Sequence, residues 1–471
     1  MKYISTRGQA PALGFEETML AGLATDGGLY VPESWPTLSA ETIRGFRGQR
    51  YQDVAFAVMR PFVAGEISDE DLRGIIEGAY GRFRHRAVCP LVQVGPDEHV
   101  MELFHGPTLA FKDVAMQVLG RMYDLVLERR DDRITIVGAT SGDTGSAAIE
   151  AIRGRSRASI FIMHPHGRTS DVQRKQMTTV RGPGAENVHN VAIEGTFDDC
   201  QNLLKAMFND APFREEIRLS GVNSINWARV MPQVVYYVTS AVSLGAPDRE
   251  VAFSVPTGNF GDIFAGYIAK QMGLPIRRLI VASNSNDILT RALTRGDHTL
   301  GEVVPTMSPS MDIQISSNFE RLLFDLYGRD GAVVSDLMAK LKSDGGFGIE
   351  SARLDPIRDL FAAGRVDEAT TLETIKAVHD ETDGYLIDPH TAVGVRAARE
   401  VMAGLHAEGV PVVTLATAHP AKFPDAVSQA TGVKPPLPEH LQDLYEREEK
   451  YAVLGNDLTA VEGHIRAELA R

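Results

Sequence analysis

From residue 134 onward, short β-branched and apolar runs alternate with longer amphipathic stretches, a rhythm that predicts strands leading into helices. Arg133–Gly138 reads as a buried strand and Thr144–Ile152 as the helix after it. Ser159–Met163 is a second strand, closed by His164-Pro165. Val251–Pro256 is a third, followed by a helix from about Asp262 to Met272, and Leu279–Ala282 and Val410–Ala416 repeat the theme. Such alternation predicts an α/β fold with largely parallel sheets, whose ligands sit beyond the carboxyl ends of the strands.

The first 98 residues read differently. They carry a Gly-rich turn at Asp26-Gly27-Gly28 and helical patches at Ser39–Phe46 and Asp69–Tyr80. The expected division is an N-terminal region over 1–98, a small α/β domain over 99–245 and a larger one over 246–471, with the chain crossing between domains. The stretch from Asp330 to Asp383 is charged and reads as peripheral helix, with Gly345–Gly348 as a loop inside it. No internal repeat or low-complexity segment interrupts the chain.

Composition narrows the function classes. A chain of 471 residues with 44% hydrophobic and 23% charged residues is an ordinary globular protein of two or three domains. A net charge of −14 repels nucleic acid and anionic membranes as a whole, although one basic pocket for a small anion remains compatible with it. Cys89 and Cys200, the only cysteines, form neither a disulfide framework nor a zinc pattern. The N-terminal residues lack the apolar core of a secretory signal, and no apolar run reaches membrane-helix length. The expectation is a cytoplasmic protein that holds no metal.

Three loops carry the candidate chemistry. In Phe104-His105-Gly106-Pro107-Thr108-Leu109-Ala110-Phe111-Lys112-Asp113, Lys112 lies between Phe111 and the apolar run Val114-Ala115-Met116. Apolar surroundings suit a lysine that forms a Schiff base with a carbonyl cofactor. Read alone, the segment fits a solvated lysine at a helix start at least as well. Gly138-Ala139-Thr140-Ser141-Gly142-Asp143-Thr144-Gly145 joins a strand to a helix and offers hydroxyls and helix N–H groups to a carboxylate or phosphate. It lacks the Walker lysine and the dinucleotide GxGxxG spacing, and Asp143 or Thr144 could simply be the N-cap. Pro256-Thr257-Gly258-Asn259-Phe260-Gly261-Asp262 repeats the strand–glycine turn–helix plan, a natural seat for a cofactor phosphate or no more than a turn.

Two further segments add to these. Asn223-Ser224-Ile225-Asn226-Trp227-Ala228-Arg229 gathers amides, a hydroxyl and an arginine that could clamp a phosphoryl group, or could cap a helix from Val230 to Leu244. Thr417-Ala418-His419-Pro420-Ala421-Lys422-Phe423 places Thr417 at the carboxyl edge of a strand; His419 reads equally as ligand or as structural.

Together HGPTLAFKD, GATSGDTG, PTGNFGD, NSINWAR and TAHPAKF resemble the threonine synthases, and Gly27–Pro32 resembles the opening of their longer microbial and fungal branch. The resemblance covers nearly the whole chain in the family's motif order. It implies fold type II of the pyridoxal-phosphate enzymes, similar to the tryptophan synthase β chain: two open twisted α/β domains plus an N-terminal region. It implies pyridoxal 5'-phosphate as cofactor and O-phospho-L-homoserine as the small-molecule substrate, converted with water to L-threonine and phosphate. Lys112 would carry the cofactor, Gly258, Asn259, Phe260 and Gly261 would hold its phosphate, and Thr417 would bond its ring nitrogen. Asp143 stands where many relatives have an asparagine against the cofactor's 3-hydroxyl. Thr140, Ser141 and Thr144 would receive the substrate carboxylate or phosphate; Asn223, Ser224 and Arg229 would bind its phosphate, with Asp262 at the border. The resemblance implies a monomer or dimer without nucleic-acid or membrane partners. The competing readings are a serine/threonine dehydratase or cysteine synthase, which need no such phosphate clamp, and a non-catalytic relative that keeps the cofactor site.

Overall fold

The computed structural model describes residues 1–140 and 142–471. Compactness divides the chain into two units: Met1–His105 with Ser224–Pro435, and Gly106–Asn223 with Pro436–Arg471. These do not follow the chain-order boundaries at 98 and 245. The chain leaves the first unit after His105, returns at Ser224 and leaves again at Pro436, so each core is built from segments distant in sequence.

The first unit is built on a six-stranded sheet in the order Phe361–Arg365, Ile276–Ser283, Val251–Pro256, Val412–Ala416, Glu98–Glu102, Leu91–Gly95. All neighbours are parallel except the last pair. Every side chain of Val251–Pro256 is buried, which is why it reads as a continuous apolar run. The helix Pro389–Ala407 covers one face, with Val393, Ala397 and Ala398 packed against Ala252, Ile280 and Ala282. Tyr3–Ser5 and Tyr30–Pro32 form a separate antiparallel ribbon. The Asp26 carboxylate accepts from the N–H groups of Gly28, Gln9 and Ala10, which fixes the glycine turn.

The second unit holds a five-stranded, wholly parallel sheet in the order Ala452–Gly455, Val188–Glu194, Ala158–Pro165, Ile134–Ala139, Leu219–Ser220. Its core joins Phe161, Met163 and Val191 to Leu203 and Met207 of the helix Phe197–Asn209, and to Val461 and Ile465 of the C-terminal helix.

Four expectations are corrected. Gly346–Gly348 is no free loop but pairs antiparallel with Asp297–Thr299. The charged stretch 330–383 is not all peripheral helix, because Phe361–Arg365 forms the edge strand of the six-stranded sheet. The helix after Ile134–Ala139 starts at Asp143 with Gly142 as its N-cap, so neither Asp143 nor Thr144 caps it. The expected helix Val230–Leu244 is three pieces, Trp227–Val230, the 3-10 turn Met231–Gln233 and Val234–Ser243, since Pro232 cannot continue an α-helical ladder.

Candidate active site

In the second unit, Lys112 is the first residue of the helix Lys112–Arg129. The loop before it is cinched by Asp113. The carboxylate of this fully buried residue accepts from the Thr108 N–H at 2.7 Å and the Thr108 hydroxyl at 2.8 Å. Charge-assisted hydrogen bonds of this kind contribute roughly 1.5–3 kcal/mol each. Gln176 donates to the Thr108 carbonyl at 3.2 Å and ties the loop to the helix Asp171–Thr178. Lys112 is thereby held with its side chain only 11% exposed, its Nζ 4.8 Å from the Phe111 ring centre and 3.6 Å from Asp143 Oδ2. The other Asp143 oxygen accepts from Gln173 Nε2 at 2.9 Å, and Ser170 donates to Gln173 Oε1 at 2.9 Å.

Thr140 is buried, and its hydroxyl oxygen accepts from the N–H groups of Gly142 and Gly145, shaping the start of the helix Asp143–Ile152. Thr144 is partly exposed and Asn223 exposed. Ser141 lies outside the described residues.

In the first unit, the strand Val251–Pro256 runs through Thr257–Phe260 into the helix Gly261–Gln271. Phe260 takes a left-handed backbone, φ 62°, strained for a phenylalanine and held by its ring packing on Phe319 and Phe361. Ser316 Oγ donates to the Gly258 carbonyl at 2.7 Å, and the Asn318 carboxamide to the Asn259 carbonyl at 2.8 Å. Asp262 follows on the first helical turn. Its Oδ1 accepts from the buried hydroxyls of Tyr236 (2.5 Å) and Tyr237 (3.0 Å). Burial, and then the Asp262 charge, push both phenols well above their ordinary pKa, so they stay donors.

Arg229 is buried on the short helix Trp227–Val230, which Asn226 caps by accepting from the Ala228 N–H. Thr417 is buried one residue beyond the strand Val412–Ala416. His419 plays a structural part. Its Nδ1 accepts from the Ala421 N–H at 3.1 Å, and burial lowers its pKa to about 4, so it is neutral near pH 7.

The candidate residues thus fall into two sets. Lys112, Thr140, Asp143, Thr144 and Asn223 belong to one unit; Ser224, Arg229, Gly258, Asn259, Phe260, Gly261, Asp262 and Thr417 belong to the other. Sequence reasoning passes over Asp113, Gln173, Asn318 and Arg321, which hold these residues in place. Asp113, adjacent to Lys112 in HGPTLAFKD, is the most accessible of them to such reasoning.

Residues 93–341 match the pyridoxal-phosphate dependent enzyme family, 2–80 the threonine synthase N terminus and 391–465 the threonine synthase C-terminal family. Over 466 residues the chain is 57% identical to a threonine synthase of Pseudomonas aeruginosa, covering 99% of this chain and 98% of that one. The chain belongs to the threonine synthase family. A threonine synthase of Saccharomyces cerevisiae is 43% identical over 507 residues, 100% of this chain and 98% of that one. The crystal structure of a PLP-bound threonine synthase from Brucella melitensis superposes with a TM-score of 0.96 at 60% identity, covering 99% of each chain. The yeast threonine synthase structure gives 0.95 at 43% identity, covering 100% of this chain and 99% of that one. The fold is therefore that of the type II pyridoxal-phosphate enzymes, and the N-terminal region belongs to the threonine synthase plan.

Proposed function

We propose that this chain is a pyridoxal-phosphate enzyme that converts O-phospho-L-homoserine and water to L-threonine and phosphate. The observation that carries this reading is the order of three family matches along one chain, the two terminal ones belonging to threonine synthases.

The residues present fit the cofactor. Among the described residues, nothing accepts from the backbone N–H groups of Asn259, Phe260 and Gly261 at the head of their helix, the donor set a phosphate ester needs. Lys112 offers a nearly buried amine for a carbonyl group. When bound, pyridoxal phosphate supplies an electron-accepting ring that stabilises negative charge on the substrate carbons.

In this reading Lys112 Nζ takes the proton from the substrate Cα and later returns one, with Asp143 as its charged neighbour. Thr417 supplies a hydroxyl to the cofactor's ring nitrogen. Arg229, Ser224 and Asn223 bind the substrate phosphate and stabilise charge that grows on it as it departs from Cγ. Thr140 and Thr144, with Ser141, orient the carboxylate, and Asp262 borders the phosphate site. A proton is lost from Cβ as the phosphate leaves, a proton adds at Cγ, and water adds its hydroxyl at Cβ, its remaining proton ending on the released phosphate. The protein acts on a small molecule in the cytoplasm as a monomer or dimer; the buried free thiols of Cys89 and Cys200 fit a reducing compartment. No helix among the described residues is long and apolar enough to cross a membrane.

Assaying O-phospho-L-homoserine turnover for phosphate, threonine and 2-oxobutyrate tests this. Threonine equal to phosphate supports the reading; 2-oxobutyrate in its place would make the chain an eliminase instead.

A further inference from the structure

We propose that Asn318 and Arg321 are positioning residues that aim two anion-binding loops at once, Ser224–Arg229 and Gly258–Gly261. This rests on the reading above that each loop takes a phosphate. A trans peptide holds its C=O and the following N–H in opposite directions, so pinning a carbonyl aims the next amide.

The segment Ser316–Arg321 pins four such carbonyls. Ser316 Oγ bonds the carbonyl of Gly258 at 2.7 Å. Asn318 bonds that of Asn259 through both its backbone N–H (3.1 Å) and its carboxamide (2.8 Å), and the same carboxamide reaches the Ser224 carbonyl at 3.3 Å. Arg321 Nη2 donates to the Ile225 carbonyl at 2.6 Å, and its Nη1 to Asn318 Oδ1. The amides of Asn259, Phe260, Ile225 and Asn226 consequently face away from this comb. Those of Asn259, Phe260 and Ile225 donate to no described protein acceptor.

Arg321 adds charge to geometry. It is fully buried, and its hydrogen bonds end on neutral oxygens: Asn318 Oδ1 and the carbonyls of Ile225 and Tyr30. Its neighbour Glu320 turns instead to Thr6 and Arg7. A buried cation bonded only to neutral groups is costly unless an anion offsets it. Anions on the two loops in front would do so. The bond to Tyr30 extends the brace to the N-terminal region, giving that region a part in anion binding.

The test uses the full-length protein. The Kd for pyridoxal phosphate is measured after dialysis of the cofactor, and the Kd for inorganic phosphate on the cofactor-loaded protein. Asn318→Ser removes the carboxamide at an N-cap position that serine tolerates, Asn318→Asp puts a carboxylate behind both loops, and Arg321→Lys keeps charge without the fork. Tyr267→Phe is the control, since it keeps the ring and removes the 3.1 Å bond to Asp325 on the same helix. The expected result is that all three brace variants weaken both affinities by about tenfold or more, while Tyr267→Phe lowers Tm alone. Lower Tm with both affinities unchanged would reduce the brace to scaffolding. Loss of one affinity only would overturn the joint aim. Failure of the wild type to make threonine would sink the proposed reaction, yet the two titrations would still decide the brace.

Discussion

Lys112 and Asp143 face each other across 3.6 Å within one unit, and Gln173 holds the carboxylate oxygen that Lys112 does not. The geometry separates two roles, with Asp143 supplying the charge and Gln173 fixing where it points. If Gln173 acts only through Asp143, their effects are not additive. Asp143→Asn is expected to lower kcat about 10- to 100-fold, and Gln173→Leu about tenfold. The double variant should be no worse than Asp143→Asn. Measured kcat values that multiply would give Gln173 an independent role.

The loop before Lys112 depends on close approach at Gly106, where a Cβ would lie 2.5 Å from Asp113 Cβ. Gly106→Ala is expected to destabilise by roughly 1–3 kcal/mol and cut activity, because Asp113 must release Thr108 to make room. Gly404, inside the helix Pro389–Ala407, has nothing within 4 Å of such a Cβ. There alanine should stabilise by about 0.5–1 kcal/mol through lower chain entropy. Thermal unfolding of the pair distinguishes crowding from a general intolerance of alanine.

Arg229 is the buried cation of the segment proposed to bind the substrate phosphate. Arg229→Ala should reduce kcat/KM for O-phospho-L-homoserine by roughly 100-fold, mainly through KM, the scale of one or two charge-assisted hydrogen bonds. Arg229→Lys should recover part of it, since a point charge replaces a fork. An unchanged kcat/KM in the alanine variant would remove Arg229 from phosphate binding.

Three buried histidines set an acid limit on stability. Burial lowers the pKa of His164, His298 and His419 to about 4, with Arg174 adding to the effect at His164. Unfolded, each takes up its proton near 6.5. The unfolded chain therefore binds more protons between those values, and stability falls as pH drops from 6.5 towards 4. Each site contributes up to about 1.4 kcal/mol per pH unit. His298, stacked between Phe319 and Phe347, is the cleaner test. His298→Leu should flatten the stability-versus-pH slope by up to one proton, as read from denaturant unfolding at several pH values. An unaltered slope would refute the assignment.

What is legible in the sequence follows from what is local. Val251–Pro256 is readable residue for residue because a strand buried on both faces writes one apolar run. Val188–Glu194 carries no such signal because His189 and Asn190 interrupt it, and both find partners only in the fold. His189 stacks on Phe161, while Asn190 donates to the Met177 carbonyl. Phe361–Arg365 is hidden by its alanines and glycine, which have little strand preference. The candidate loops stand out because strand, glycine turn and helix start are contiguous in sequence. Their supports do not: Asn318 reaches Asn259 across 59 residues and Ser224 across 94, distances over which a single sequence carries no pairing signal.

The most direct test of the central claim compares the wild type with Lys112→Ala on O-phospho-L-homoserine in the presence of pyridoxal phosphate, counting phosphate and threonine in the same samples. The expected result is equal amounts of both products from the wild type and neither from the variant. Substantial threonine from Lys112→Ala, or phosphate without threonine from the wild type, would contradict it.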